Sequence, residues 1–174
     1  MKTLTIIPSR MSATRLPGKP LLKINGLSII SHVFRKAEQA DIGEVFVATE
    51  DQEIVDDVTK NGGNAILTSK NHKTGTDRIY EAFQIINSKD VDIILNLQGD
   101  EPAINIKDII SLNKKMISTQ SKMGTLAAKI KNFKDLENSN IVKVITKKDL
   151  KEDQFSLAET FTRNAKNVDN IYHH

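Results

Sequence analysis

Cysteine is absent from the 174 residues, which excludes disulfides, thiolate catalysis and zinc sites built on sulfur. Tryptophan is absent too and tyrosine occurs only twice, too few aromatic faces for a platform on which nucleic-acid bases stack. No apolar run approaches the ~18 residues a membrane span requires, so neither nucleic acid nor membrane is an expected partner. The first apolar run, residues 4–7, is too short for a signal-peptide core and lacks a small-residue cleavage site. A cytoplasmic location is therefore expected. Acidic residues are missing from the whole stretch before Glu38, which carries Lys2, Arg10, Arg15, Lys19, Lys23, Arg35 and Lys36. A net charge of +3 says little, but a basic leading segment is suited to nucleic acid, anionic lipid or a phosphorylated small molecule.

With 39% hydrophobic and 27% charged residues, the composition is that of an ordinary globular domain, expected to be single over 1–174. Short apolar runs alternate with segments of helical period. Strands are expected at 4–7, 44–49, 65–68 and 91–97, and helices at 28–40, 51–61, 76–87 and 106–118. In the first helix Ile29, Ile30, Val33, Phe34 and Ala37 fall on one face, and Gly62-Gly63 closes the second. Alternating strands and helices predict an α/β fold, a mostly parallel Rossmann-like sheet covered on both faces. The later part is plainer: strands at 125–130 and 141–145, a turn at 133–136, and fading periodicity from Lys147 onward. This half is expected to be mixed or antiparallel.

Ligands of parallel α/β sheets bind outside the carboxyl ends of the strands. The loops that leave those ends here, 8–20, 49–51, 68–77 and 98–102, hold most of the unusual residues. In the first, Arg10, Arg15 and Lys19 offer two guanidinium forks and a mobile ammonium, a set that can wrap a triphosphate. Gly18 permits close backbone approach, while Pro17 and Pro20 stiffen the loop. The loop is no P-loop, since Ala13 stands where the first glycine belongs and Pro20 follows Lys19. Nor does it have the three glycines of a dinucleotide fingerprint. The plainer alternative is a solvated basic loop. In the fourth loop, Asp100 and Glu101 follow a central strand, where a magnesium ion bridging nucleotide phosphates would be held. Asp100 is the favoured ligand, with a turn carboxylate capping the next helix as the alternative. In the third, a polar run enters a helix whose N-terminus suits an anion or the edge of a base, and His72 reads as a surface residue. His173 and His174 are adjacent and share no face, a weak metal signal.

These segments together resemble one family. Residues 7–20, Val47-Ala48-Thr49, 68–78 with its Gly75-Thr76-Asp77-Arg78 core, 97–102 and 140–144 are similar to CMP-Kdo synthetases, which activate the acid sugar Kdo (3-deoxy-manno-octulosonate). Sialic-acid cytidylyltransferases share the Arg15-Leu16-Pro17-Gly18-Lys19 loop, but not Gly75-Thr76-Asp77-Arg78 and Gln98-Gly99-Asp100-Glu101-Pro102 at these spacings. The resemblance implies a nucleotide-sugar nucleotidyltransferase fold and transfer of CMP from CTP to Kdo for lipopolysaccharide biosynthesis. It implies that Pro8, Ser9, Arg10, Arg15 and Lys19 bind the nucleotide, the last three through its phosphates. Thr68, Gly75 and Arg78 would face cytosine and ribose, Gln98 would touch Kdo, and Asp100 would hold Mg2+. Arg10, Arg15, Lys19 and Asp100 would be the catalytic set. A homodimer is the family's habit, with an interface that is incomplete here.

After Val144 the match thins. Residues 153–161 stand where the family has an aromatic-Ser-Arg-x-x-Ile-Pro stretch, and no Arg follows Ser156. Tyr172-His173-His174 resembles the start of a family segment whose continuation would bring a second metal carboxylate and much of the sugar pocket. The chain thus reads as a truncated coding sequence or a fragment, and a non-catalytic remnant that at most binds CTP is the alternative function.

Overall fold

The computed structural model describes residues 1–12, 16–151, 154–164 and 169–174. It forms two compact units, Met1–Asn113 and Lys114–His174.

The first unit is built on four parallel strands, β1 (Thr3–Ser9), β4 (Gly43–Thr49), β5 (Ala65–Leu67) and β6 (Ile93–Asn96), in the order β5-β4-β1-β6. Helices α1 (Ile29–Gln39), α2 (Gln52–Lys60) and α3 (Gly75–Ile86) connect them, and α4 (Ile106–Thr119) follows β6. Side chains alternate across a strand, so the sheet feeds two cores. Ile7, Val45, Val47, Leu95 and Leu97 pack with Ile30, Val33 and Phe34 of α1, Ile54 and Val58 of α2 and Ile109 of α4. Leu4, Ile6 and Ala48 turn the other way, onto Ile79 and Ala82 of α3. The expected doubly covered sheet is what the chain forms.

Helix starts follow their caps. The Ser28 hydroxyl accepts from the Ser31 amide at 3.2 Å and opens α1. The Ser28 and Ser31 hydroxyls both donate to Asp57 of α2, at 2.5 and 3.0 Å, tying the first two helices together. Thr74 and Asp77 form a reciprocal capping box that opens α3. Two short features carry no sequence period and were not expected: a 3-10 turn (Lys19–Leu21), and a hairpin of β2 (Lys23–Ile24) and β3 (Leu27–Ser28) around Asn25-Gly26.

Thr5 is fully buried in β1, and its hydroxyl has no hydrogen-bond partner among the described residues. A buried, unpaired hydroxyl costs free energy that an apolar group of the same shape does not. Thr5→Val is therefore expected to raise stability by roughly 1 kcal/mol in urea denaturation. A lower midpoint in the variant would show that the hydroxyl is satisfied.

The second unit is a four-stranded antiparallel sheet, with β7 (Ala128–Lys129), β8 (Lys143–Thr146), β9 (Ala158–Thr162) and β10 (Ile171–His173) in the order β7-β10-β8-β9. The expected turn at 133–136 is a short helix, α5 (Phe133–Glu137), and the strand expected at 125–130 pairs only at Ala128–Lys129. Both β9 and β10 lie where periodicity fades. Lys143 is buried, and its ammonium donates to the carbonyls of Asn138 at 2.5 Å and Arg163 at 2.9 Å. The Tyr172 hydroxyl donates to Asp149 and accepts from the Leu150 amide at 2.8 Å. Burial first, and the bond to Asp149 second, push the Tyr172 phenol above its ordinary 10.0. Its contribution to stability is present below that ordinary value and is lost as pH rises through the raised one.

Candidate active site

Pro8 is the point on which the first unit's loops converge. The N–H and C=O of one residue in a strand point the same way, and the Leu97 amide donates to the Ile6 carbonyl at 3.3 Å. Pro8, two residues on, therefore faces the β6 side, just beyond the last β1–β6 pair, Ile6 with Asn96. A missing amide costs nothing there, which is why proline is tolerated in an otherwise central strand. Gly99, leaving β6, packs so closely that a Cβ would stand 3.0 Å from the Pro8 carbonyl oxygen and 3.1 Å from Cδ1 of Ile30. On another side, a Cβ on Gly75 at the start of α3 would stand 3.4 Å from Cγ of Pro8. The third and fourth loops singled out in the sequence thus both rest on the start of the first.

The first loop leaves Ser9, which is buried, and Arg10, which is exposed. Its next residue is anchored by the Met11 amide, which donates to Asp51 after β4 at 2.7 Å. The Gly18 amide returns to the Met11 carbonyl at 3.0 Å and closes the loop on itself; Gly18 has φ of 73°, where glycine is favoured. Arg15 lies outside the described residues. The closure brings Lys19 across to the turn after β6, where its ammonium meets the Asp100 carboxylate at 2.8 Å. The two residues are 81 apart in sequence and belong to different motifs. Gln98, exposed beside them, donates from Nε2 to Asn96 at 3.3 Å.

The β5–α3 loop is gripped from the helix. Arg78 is buried, and its guanidinium pairs with Glu50 and donates to the Thr68 hydroxyl at 2.6 Å and the Ser69 carbonyl at 3.4 Å. Glu81, one turn on, accepts from the Ser69 amide at 2.8 Å and pairs with His72. The bond from His72, then that from Ser69, hold the Glu81 carboxyl below its ordinary 4.5. The stabilisation this gives is present above the ordinary value and is lost as pH falls through the lowered one. Arg78 was anticipated as a group facing the nucleotide; the structure places its guanidinium inside, holding the loop. Glu50 and Glu81 were not singled out from sequence, although Glu81 stands three residues after Arg78, the spacing that puts two side chains on one helix face.

Among the described residues no three His, Asp or Glu side chains gather as a metal cluster. His174 instead bonds the Thr125 hydroxyl at 3.1 Å and lies edge-on to Phe161. Asp100 offers a single exposed carboxylate beside a cation. That fits magnesium, which takes one or two carboxylates and completes its shell with substrate phosphates and water.

A family model described as cytidylyltransferase matches residues 4–173. The chain belongs to the cytidylyltransferase family. Among curated proteins, this chain is 46% identical over 145 residues to a 3-deoxy-manno-octulosonate cytidylyltransferase of Rhodopseudomonas palustris, covering 83% of this chain and 59% of that protein. It is 45% identical to the Nitrobacter hamburgensis protein of the same name, over 83% of this chain and 56% of the other. The chain thus spans a little over half the length of these relatives. Among solved structures, CMP:2-keto-3-deoxy-manno-octonic acid synthetase complexed with CTP matches all of this chain and 72% of its own, with TM-score 0.86 and 33% identity. A 4-diphosphocytidyl-2C-methyl-D-erythritol synthase at 12% identity and TM-score 0.59, over 93% of this chain and 72% of its own, shares the fold.

Proposed function

We propose that this chain carries the nucleotide side of a CTP:Kdo cytidylyltransferase. The observation that carries this reading is the meeting of Lys19 and Asp100 at the carboxyl end of the parallel sheet, a cation and a carboxylate from two motifs in one place. In the reaction, the C2 hydroxyl oxygen of Kdo bonds to the α-phosphorus of CTP. The bond from that phosphorus to the oxygen bridging to the β-phosphate breaks, pyrophosphate leaves with the electron pair, and the hydroxyl proton is released. Little covalent chemistry is asked of the protein; it must align two anions and neutralise charge on the leaving group. Arg10, Arg15 and Lys19 would bind the phosphates, with Pro8 and Ser9 forming the floor. Thr68 and Gly75 would border the cytidine, Arg78 would keep their loop in place, and Gln98 would face the sugar. Asp100 would hold Mg2+, which when bound neutralises charge on the phosphates.

Identity to proteins of that name and likeness to a CTP-complexed synthetase support the reading. Among the described residues no helix is long and apolar enough to cross a membrane. The proposal extends to a cytoplasmic place in lipopolysaccharide biosynthesis and to association with a second copy. It is tested by pyrophosphate release from CTP with Kdo and magnesium, on this chain and on one of the relatives' full length. Kdo-dependent release is expected of the longer form. CTP binding without turnover in both forms would favour a non-catalytic nucleotide binder.

Lys19→Ala is expected to weaken CTP binding by about 1.5–3 kcal/mol, the range for hydrogen bonds to charged groups, and Arg15→Ala by a similar amount. Calorimetric titration in which both variants bind like the parent would remove the phosphate clamp.

A further inference from the structure

Two pairs of side chains lie side by side in the site: Glu50 after β4 with Arg78 on α3, and Glu81 one turn on with His72 in the β5–α3 loop. Neither Glu81 nor His72 has a part in the reaction as proposed. What Glu81 and Arg78 hold is Ser69. Its amide is taken by Glu81 and its carbonyl by Arg78, while its hydroxyl accepts from the Asn71 amide at 3.1 Å. Both backbone groups of one residue are thus fixed by charged side chains one helical turn apart. Thr68, just before it, is held by the same guanidinium. With its inner face committed in this way, the loop leaves Lys70, Asn71 and Lys73 exposed. The helix that grips it begins at Gly75, against Pro8.

We infer that Glu81, paired with His72, is a positioning residue that sets the β5–α3 loop in its nucleotide-binding shape before the nucleotide arrives. The inference rests on the proposed function, because the loop's ligand is taken to be CTP. A loop ordered in advance spares the ligand the conformational entropy of ordering it, so Glu81 acts on affinity without touching the ligand. Glu81 differs here from Arg78, which is buried and supports the fold itself. Glu81 is about one-third exposed and His72 about one-fifth, so the grip can be removed without opening the core.

Two variants separate its parts. Glu81→Gln keeps an acceptor for the Ser69 amide and loses the charge facing His72; Glu81→Ala loses both. Amide hydrogen exchange and the Ser69 amide proton shift are measured on the free chain, and CTP affinity by calorimetry. Glu81→Ala is expected to speed exchange at residues 69–73 about tenfold, move the Ser69 amide signal and weaken CTP about five- to tenfold, with Glu81→Gln in between. Unchanged exchange in both variants overturns the grip. Weaker binding with unchanged exchange overturns positioning, because Glu81 would then act on the ligand directly. Faster exchange with unchanged affinity overturns the link between this loop and the nucleotide. If the parent itself binds no CTP, the proposed function falls and takes the nucleotide clause with it, while the exchange data still judge the grip. Should Glu81→Ala fail to fold, Glu81→Gln decides on the same readouts.

Discussion

Asp100→Asn, placed in a chain of the relatives' full length, is expected to abolish magnesium-dependent turnover of CTP and Kdo and to leave the fold intact. The carboxylate stands on the turn after β6, with Gly99 packed beneath it on Pro8 and Ile30, so its position is fixed by backbone that the substitution does not touch. Its side chain is more than half exposed and, among the described residues, pairs with Lys19. A pair so exposed contributes at most about 1 kcal/mol to stability, so the unfolding midpoint should barely move. Catalysis is another matter. A neutral amide is a poor ligand for a hard divalent ion, and charge on the departing pyrophosphate would lose its neutralisation where it develops. Removing one such electrostatic contribution costs on the order of 10²–10³ in rate, and loss of the cation as well should leave nothing measurable. A variant that turns over at the parent's rate with magnesium would make Asp100 a turn residue and displace the proposed centre.

Arg78→Ala is expected to be the most damaging change to stability in the site, costing about 3–5 kcal/mol. The Arg78 side chain is 4% exposed and its partner Glu50 is 14% exposed, so the pair is shielded from water on both sides. Truncating one partner leaves the other's charge buried without compensation, and that penalty exceeds what the intact pair contributes. Thr68 and Ser69 lose their donor in the same step. Against a total stability of about 5–15 kcal/mol, such a loss takes much of the margin. The double variant Glu50→Gln/Arg78→Ala should recover a large part of it, since the orphaned charge is gone. Denaturant unfolding of the two single variants and the double one makes a cycle that isolates the coupling. A single-variant cost below about 1 kcal/mol would mean that water reaches the pair.

The sheet of the first unit could be read from residues because its signals are local. Ile29, Ile30, Val33, Phe34 and Ala37 recur with helical period, and residues 44–49 and 91–97 are apolar runs between breakers. The loop residues were legible as chemistry: Lys19 and Asp100 were each picked out, and they meet. Their meeting was not legible, since it depends on how β1 and β6 are placed across 81 residues of chain. His72 shows the same limit from the other side. Alone it reads as surface, and only the turn of α3 that brings Glu81 back to the loop gives it a partner. In the second unit β9 has almost every residue exposed, so no buried face marks it as a strand. Its pairing with β8, which shifts register between Ile145 and Thr146, decides its structure.

Two ion pairs of the site, Lys19–Asp100 and Glu50–Arg78, sit in different surroundings. Lys19–Asp100 stands in water, with side chains 33% and 58% exposed, while Glu50–Arg78 is shut away from it. At 0.15 M ionic strength the Debye length is ~8 Å, and mobile ions damp the first pair while hardly reaching the second. Added salt is thus a selective reagent here: it loosens the tie between the first loop and the turn after β6, and leaves the β5–α3 loop clamped. One half of the site is tuned by the medium and the other by the fold.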